Sequence, residues 1–442
     1  MTTIEQYIKR NSERFPDRIA VITSEEQISY RQFQQRIDAC ADKLRNVYSK
    51  GEIVALRTCQ TIDFIVEYFA LHVIGAVAMP LEHNMPDERF NAIASQYSHL
   101  SALNNTADVL YTTGTTGKAK GVMVSHDVIL ANSENLIDAM GFSGDLVFVV
   151  NGPLNHIGSL SKVFPVLIMG GTLYILEGMK NIEEFFEALH HPVASRCATF
   201  LVPTAIRMLL QFAEERLCEL SERMDFIETG AAPMAQADME HLCRILPNTR
   251  LYNTYASTET GIISTYNYND GQCIAGCLGK PMKNSRYYIT PEGTIACSGR
   301  TIMQGYAGDP ELTATILRDG NLYTNDLGEI DEHGRLHLKG RNGDVINIGG
   351  FKIDPSEVED VAKSHPLITD CICICDDSSS VSNRLKLLYV TMPGASVSNK
   401  ELAMLLAEKL ERYKVPQCFE RVAAIERTFN GKLNRKFYRS QK

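Results

Sequence analysis

From Ile53 to Thr229, strand-like apolar runs alternate with helix-like stretches, and this alternation restricts the chain more than any other feature. Ile53–Arg57 reads as a buried strand, Thr61–Ile74 as a helix, and the run closing at Pro80 as another strand. Similar runs return at Leu146–Val150, Thr172–Leu176, Ala198–Val202 and Phe226–Thr229. Buried strands separated by helices are the pattern of parallel βαβ units. Ahead of them, Ile4–Phe15 has helical spacing, and Ile19–Thr23 with Gln27–Ser29 reads as a short hairpin. Tyr30–Tyr48 is amphipathic, with Phe33, Ile37, Cys40, Ala41 and Leu44 on one face. From about Gly271 to Lys339 the texture changes to short strands and frequent glycines. Beyond Gly343 a second mixed unit follows, with helices near Pro355–Ser364 and Asn399–Arg412 and strands near Thr369–Cys375 and Lys386–Thr391. The expected fold class is α/β. A large N-terminal domain of βαβ sheets spans 1–342, with a β-rich subdomain at about 271–340. A small α+β C-terminal domain spans 343–442.

A chain of 442 residues is too long for one compact core. Its 44% apolar and 22% charged residues are those of an ordinary soluble protein. A net charge of −9 argues against nucleic acid as the main partner, although a local basic groove can still hold a nucleotide. The most apolar stretch, Tyr68 to Leu81, is interrupted by His72 and too short to cross a bilayer. Neither a secretory nor a lipidation signal stands out, and a cytoplasmic location without a membrane span is expected. The twelve cysteines include no Cys-x-x-Cys pair. Cys371, Cys373 and Cys375 alternate along one strand and share a face, whereas zinc usually recruits ligands from several elements. Free thiols are expected.

Between Val109 and Gly121 a short apolar strand runs into Thr112, Thr113, Gly114, Thr115, Thr116, Gly117 and Lys118, then resumes as strand at Val122–Val124. Glycines let backbone N–H groups converge on an anion, hydroxyls add donors, and Lys118 and Lys120 add charge. These parts suit a polyphosphate. A Walker A loop needs four residues between its glycines and a Ser or Thr directly after the lysine. Here only Thr115 and Thr116 separate Gly114 from Gly117, and Ala119 follows Lys118, which disfavours a P-loop kinase or GTPase.

Thr112–Gly121 resembles the signature loop of the adenylate-forming superfamily, which contains acyl-CoA synthetases, non-ribosomal adenylation domains and luciferases. Its companions occur in the family's order. Pro153-Leu-Asn-His-Ile-Gly158 resembles the segment whose histidine lies beside the acyl pocket, and Thr229-Gly-Ala-Ala-Pro233 the turn bordering adenine and acyl group. Tyr252-Asn-Thr-Tyr-Ala-Ser-Thr-Glu259 resembles the aromatic-x-x-Thr-Glu motif, and Tyr323-Thr-Asn-Asp326 the ribose-binding aspartate. Gly340-Arg341, the stretch Ile346–Glu359, Tyr413-Lys-Val-Pro416 and Gly431-Lys432 complete the series.

The resemblance implies an AMP-forming acid–thiol ligase that uses ATP, Mg2+ and coenzyme A. Its partners would be a small carboxylic acid and an acceptor thiol on CoA or on an acyl carrier protein. Adenylation brings two anions together, so charge on the transferring phosphoryl group must be stabilised. Lys432 is then the cation delivered by a mobile C-terminal domain, Glu259 the Mg2+ ligand, and Thr258 a contact to the α-phosphate. Gly230, Ala231, Ala232, Pro233, Asn253 and Tyr255 line the nucleotide, with Asp326 and Arg341 on the ribose. His156 borders the acyl group, Gly349 and Gly350 admit a pantetheine arm, and Gly343 is the hinge.

Blander readings stand beside these roles. Lys432 also fits a solvated basic tail with Arg435, Lys436 and Arg439, and Glu259 a helix N-terminus capped by Ser257 or Thr258. Asp326 before Leu327-Gly328 also fits an ordinary turn, Tyr255 a core tyrosine, and His156 a satisfied core group. Departures from the family pattern are Ala119 for proline, Asn325 for glycine, Asn430 for serine and Gly343 at the hinge. The shortened stretch from Pro80 to Val109 is expected to lack a strand–helix unit. Pro153-Leu154-Asn155 carries no acid to pair with a substrate ammonium, which points to an apolar carboxylate. A catalytically degenerate nucleotide-binding homologue is the reading from another class.

Overall fold

The computed structural model describes residues 2–100, 102–113, 119–179, 181–344, 346–348, 351–376, 384–427 and 433–439. Its larger sheet begins with parallel strands, four of them those predicted near Leu146, Thr172, Ala198 and Phe226. Ile19–Ile22, Thr172–Ile175, Leu146–Val150, Arg196–Leu201, Met224–Thr229 and Arg250–Ser257 lie side by side in that order. Arg250–Ser257 then turns back, antiparallel, into Gly261–Asn267. Through Cys277–Pro281 the sheet continues into antiparallel strands Leu336–Arg341, Asn321–Ile330, Thr294–Gly299 and Ser285–Ile289. The β-rich region is therefore joined edge-on to the parallel sheet.

A second sheet of five strands holds Ile53–Arg57, Val77–Leu81, Thr106–Thr113, Ala119–Ser125 and the short Gly305–Tyr306. The helices Tyr30–Leu44, Ile62–Ile74, His126–Met140 and Ile157–Met169 lie in the main apolar core, where Phe33, Phe69, Leu136 and Phe164 meet sheet residues Leu110 and Phe148. The largely apolar sequence of Ile62–Ile74, broken only by Asp63, Glu67 and His72, follows from this setting, because a helix enclosed on most sides keeps only a narrow polar face. Between Pro80 and Val109 the described residues hold one helix and no intervening strand. A helix, Asp87–Ser98, occupies the segment and buries Ile93 and Tyr97 against Ile53, Met79 and Val109. It is the crossover that makes Val77–Leu81 and Thr106–Thr113 parallel neighbours.

Beyond Arg341 the chain forms a smaller unit. The hairpin Ile346–Ile348 with Phe351–Ile353 leads to helix Pro355–Lys363. A sheet of Ile368–Asp376, Arg384–Thr391 and Cys418–Arg421 follows, with helix Asn399–Lys409 beside it. Cys371 and Cys373 point into the core of this unit with Ile353, Leu385 and Leu402, as alternation predicts. No disulfide joins any of the twelve cysteines. Arg435 grips the buried Glu359 with two parallel hydrogen bonds of 2.7 Å, and Glu359 also accepts from the Cys373 backbone N–H at 2.7 Å. Arg435 is thus an anchored side chain and not part of a solvated basic tail. Among the described residues, no helix is long and apolar enough to cross a membrane.

Candidate active site

The phosphate-loop segment opens from a β-hairpin. Thr112 pairs with Lys120 and Thr113 with Ala119, so the intervening loop springs from the end of two antiparallel strands. Gly114, Thr115, Thr116, Gly117 and Lys118 lie outside the described residues. At the loop's base the Thr112 hydroxyl is buried and has no hydrogen-bond partner among the described residues. Such a group costs about 1–3 kcal/mol when left alone, so it marks a place where a ligand acceptor fits.

Gly305–Tyr306 pairs antiparallel with Val122 and Met123 on the outer edge of this hairpin. That pairing brings three predicted and unpredicted groups together. The Lys120 ammonium lies 4.9 Å from the centre of the Tyr306 ring, and the Tyr306 hydroxyl donates to Glu259 Oε1 at 3.0 Å. Burial, and then the Glu259 charge, push the Tyr306 hydroxyl well above its ordinary range, so it stays a donor. Glu259 is therefore oriented from behind, beside the hairpin that carries the loop.

The setting of Glu259 differs from the helix cap that its sequence also fits. Residues 258–260 form the turn between strands Arg250–Ser257 and Gly261–Asn267. Ser257 and Thr260 close it reciprocally: each backbone N–H donates to the other's hydroxyl at 3.0 Å. Thr258 and Glu259 are left at the tip, both partly exposed. A hard cation such as Mg2+ takes oxygen ligands and keeps phosphate oxygens close, and Glu259 is a fitting donor.

Asp326 and Arg341 face each other across adjacent strands, with Arg341 Nε 3.4 Å from Asp326 Oδ1. The Tyr255 hydroxyl donates to Asp326 Oδ2 at 2.8 Å. Burial first, and then the Asp326 charge, hold that hydroxyl far above its usual range. Asp326 thus sits in a strand with two partners, not in an isolated turn. Tyr255 is only 7% exposed, so its ring presents little open face, and its clearest contact is the hydroxyl that holds Asp326. Asn253, on the same strand, donates to the Cys277 carbonyl at 3.3 Å.

Gly230 follows strand Met224–Thr229, and a Cβ there would stand 3.1 Å from the Thr254 carbonyl oxygen. Ala231 has φ +68°, a left-handed conformation unusual for a side chain other than glycine. Strain of this kind concentrates at functional turns. Ala232 and Pro233 continue the turn. Across from it, His156 is the N-cap of helix Ile157–Met169, its Nδ1 accepting from the Gly158 N–H at 3.1 Å. Gly158 and Gly230 both lie against the Phe200 ring.

The same region holds a pair that sequence reasoning missed. Lys162, 2% exposed, reaches Glu228, 1% exposed, at 2.8 Å, and its ammonium lies 5.3 Å from the centre of the Phe200 ring. The available signal was a lone lysine within Ile157–Met169, a helix otherwise built from apolar and small residues.

At the junction with the small unit, Gly340 has φ +113° and a Cβ there would collide with the Asp354 carboxylate. Gly343 has φ +99°, and among the described residues nothing lies within 4 Å of where a Cβ would stand. Gly349, Gly350 and Lys432 lie outside the described residues. Leu433 pairs with Arg427, and Arg435 is held by Glu359.

Residues 8–99 and 95–307 match the family described as AMP-binding enzyme, and residues 357–432 match the AMP-binding enzyme C-terminal domain. The chain belongs to the AMP-binding enzyme family. This is the adenylate-forming superfamily that the motifs resemble. A 2-succinylbenzoate–CoA ligase of Bacillus anthracis (strain A0248) is 26% identical over 99% of this chain and 98% of its own. A linear gramicidin synthase of Brevibacillus parabrevis is 25% identical over 98% of this chain, which spans only 9% of that protein. Among solved structures, ATP-bound MatB from Rhodopseudomonas palustris superposes with a TM-score of 0.86 at 23% identity, covering 99% of each chain. The o-succinylbenzoate CoA synthetase MenE from Bacillus subtilis, in complex with an acyl-adenylate intermediate, gives a TM-score of 0.86 at 22% identity, covering 100% of this chain and 99% of the other. At these identities the structural likenesses establish the fold of this AMP-binding enzyme.

Proposed function

We propose that this AMP-binding enzyme is an ATP-dependent carboxylate–thiol ligase that makes an acyl-adenylate and then a coenzyme A thioester. The observation that carries the reading is the chain of contacts from Lys120 through Tyr306 to Glu259, which places the Thr258-Glu259 turn against the base of the phosphate loop. In the first step a carboxylate oxygen of the substrate attacks the α-phosphorus of ATP. The bond to the β-phosphate oxygen breaks and pyrophosphate leaves. In the second step a thiol sulfur attacks the acyl carbonyl, AMP leaves, and the thiol proton passes to solvent.

In this reading Thr112, Thr113 and residues 114–118 bind the phosphates, and Thr258 adds a hydroxyl at the α-phosphate. Glu259 would hold Mg2+, which screens phosphate charge when bound. Asp326 accepts the ribose hydroxyls while Tyr255 and Arg341 fix its carboxylate. Gly230–Pro233 and Asn253 border the base, and His156 the acyl group. Lys432 supplies the cation where carboxylate and phosphate meet. Loss of one such preorganised charge costs about 3–4 kcal/mol of barrier, or 10²–10³ in rate. Lys432→Ala is accordingly expected to abolish carboxylate-dependent ATP–pyrophosphate exchange while thiol transfer from a supplied acyl-adenylate survives. Equal loss of both steps would remove Lys432 from the assigned role.

An apolar or aryl carboxylate is favoured over an amino acid. Residues 153–155 offer no acid, and the buried carboxylate beyond Phe200, Glu228, is already neutralised by Lys162. A panel of carboxylates scored for AMP and pyrophosphate release tests the reaction. A protein that releases ADP, or never makes AMP with any acid, is not this enzyme. Offering CoA and a phosphopantetheinylated carrier protein in competition separates the two acceptors.

A further inference from the structure

A cluster remote from this chemistry ties the first helix to the interior. His72, in helix Ile62–Ile74, is 6% exposed and has a carboxylate at each ring nitrogen. Nδ1 lies 2.9 Å from Glu5 Oε1 and Nε2 lies 3.2 Å from Asp108 Oδ1. The Tyr68 hydroxyl steadies Asp108 at 2.9 Å from each oxygen. A second imidazole completes the group. His126 opens helix His126–Met140, its ring centre is 5.2 Å from that of His72, and the rings stand edge to face. One donor atom each from Glu5, His72 and His126 fall within 4.8 Å of one another.

A plain ion-pair network explains only part of this. Burial opposes charge on His72, but its bonds to Asp108 and Glu5 prevail and raise its affinity for a proton. Two carboxylates face the single His72 ring in this buried place. The His126 Nδ1 is also buried without a hydrogen-bond partner among the described residues. A divalent cation resolves both: with neutral imidazoles it balances Glu5 and Asp108, and it accepts a His126 lone pair. Two imidazoles and one carboxylate are donors suited to zinc and its neighbours, whereas Mg2+ and Ca2+ prefer an all-oxygen set. Metal-bound histidines almost always donate their other N–H to a carboxylate, which is the relation of His72 to Asp108.

We propose that Glu5, His72 and His126 form a binding site for a zinc-type divalent metal, with Asp108 and Tyr68 as its outer support. Donors of a tetrahedral zinc stand about 3.3 Å apart, close to the Glu5–His72 spacing, and the third donor, on His126, lies within 4.8 Å of both. Binding replaces the proton on His72 Nδ1, which leaves to solvent, and a water takes the open position. Thr106 pairs with Ser125 at the end of the hairpin away from residues 114–118. The metal therefore braces the far end of that hairpin against the N-terminal helix and takes no part in the reaction.

The test uses the full chain, stripped with chelator and titrated with cobalt(II) alone, then with zinc(II) alone. One cobalt per chain is expected, with visible d–d bands and no thiolate charge-transfer band, and zinc should raise Tm. Glu5→Gln and His126→Gln should each weaken binding at least tenfold while circular dichroism shows a folded protein. Thiolate bands, binding unchanged in both variants, or no stoichiometric binding would each overturn the site. His72 and Asp108 are left intact because their burial makes a folding failure hard to separate from lost affinity.

Discussion

Asp326 shows how much one side chain relies on its supports. Its carboxylate is fixed by the Tyr255 hydroxyl and faced by Arg341, and hydrogen bonds to a charged group are worth about 1.5–3 kcal/mol. Asp326→Asn is expected to raise the KM for ATP about 10–100-fold with a smaller change in kcat, measured by steady-state kinetics at saturating carboxylate. Lys162 and Glu228 obey a different rule. Removing one partner of a buried pair strands the other charge and costs about 3–5 kcal/mol, whereas replacing both by apolar groups is often neutral. Lys162→Met should therefore lower thermal stability sharply, and adding Glu228→Leu should restore much of it, as followed by Tm. The sequence revealed residue types better than residue partners. Asp326, Glu259 and Arg341 were legible because each sits in a short local motif. The links from Lys120 to Tyr306 and from Lys162 to Glu228 join residues far apart in sequence, and no local pattern records them.

At the scale of elements, alternation made the strands and helices readable. It failed where local chemistry was ambiguous. Ser257, Thr258 and Glu259 have the composition of a helix cap, but Ser257 and Thr260 bond reciprocally and turn the chain back into a strand. The helix Asp87–Ser98 lies in a stretch whose sequence was read for its length and given no element of its own. Helix Pro355–Lys363 carries a pH-dependent expectation. Burial first, and then Glu359 and Asp354, push the Asp360 carboxyl from 3.8 up to about 7, against the pull of Lys363 and Arg207. The folded chain thus holds this proton more tightly than the unfolded one. The resulting penalty is absent below about pH 4, grows up to about pH 7 and is constant above it. Asp360→Asn should raise Tm relative to the parent at alkaline pH, with a gain that shrinks as pH falls toward 4. A gain independent of pH would show that Asp360 does not titrate in this way.

For the whole molecule, the proposed hinge at Gly343 carries an expectation about how the two half-reactions are balanced. Gly343 has φ +99° with no described residue near a Cβ position, so a side chain there is opposed by the backbone conformation, by about 1–2 kcal/mol. Gly343→Ala should lower Tm by only a few degrees but alter the ratio of adenylation to thiol-transfer rates, measured as separate half-reactions. A uniform loss of both would point to general damage. The parallel order of the main sheet follows from the alternation in the sequence, but its edge-on fusion to the β-rich strands does not, because register across Cys277–Pro281 is set by packing. The strand at Gly305–Tyr306 has one further effect. It completes the phosphate hairpin's outer edge from some 180 residues downstream, with the Gln304 N–H on the Met123 carbonyl and the Ala307 N–H on that of Gly121. A ribosome-bound chain that has not yet released this segment carries an open β-edge beside its most glycine-rich loop. Such an edge invites pairing with other chains. Biogenesis of this protein therefore has a vulnerable interval, ended only when the peptide around Tyr306 emerges and seals the sheet.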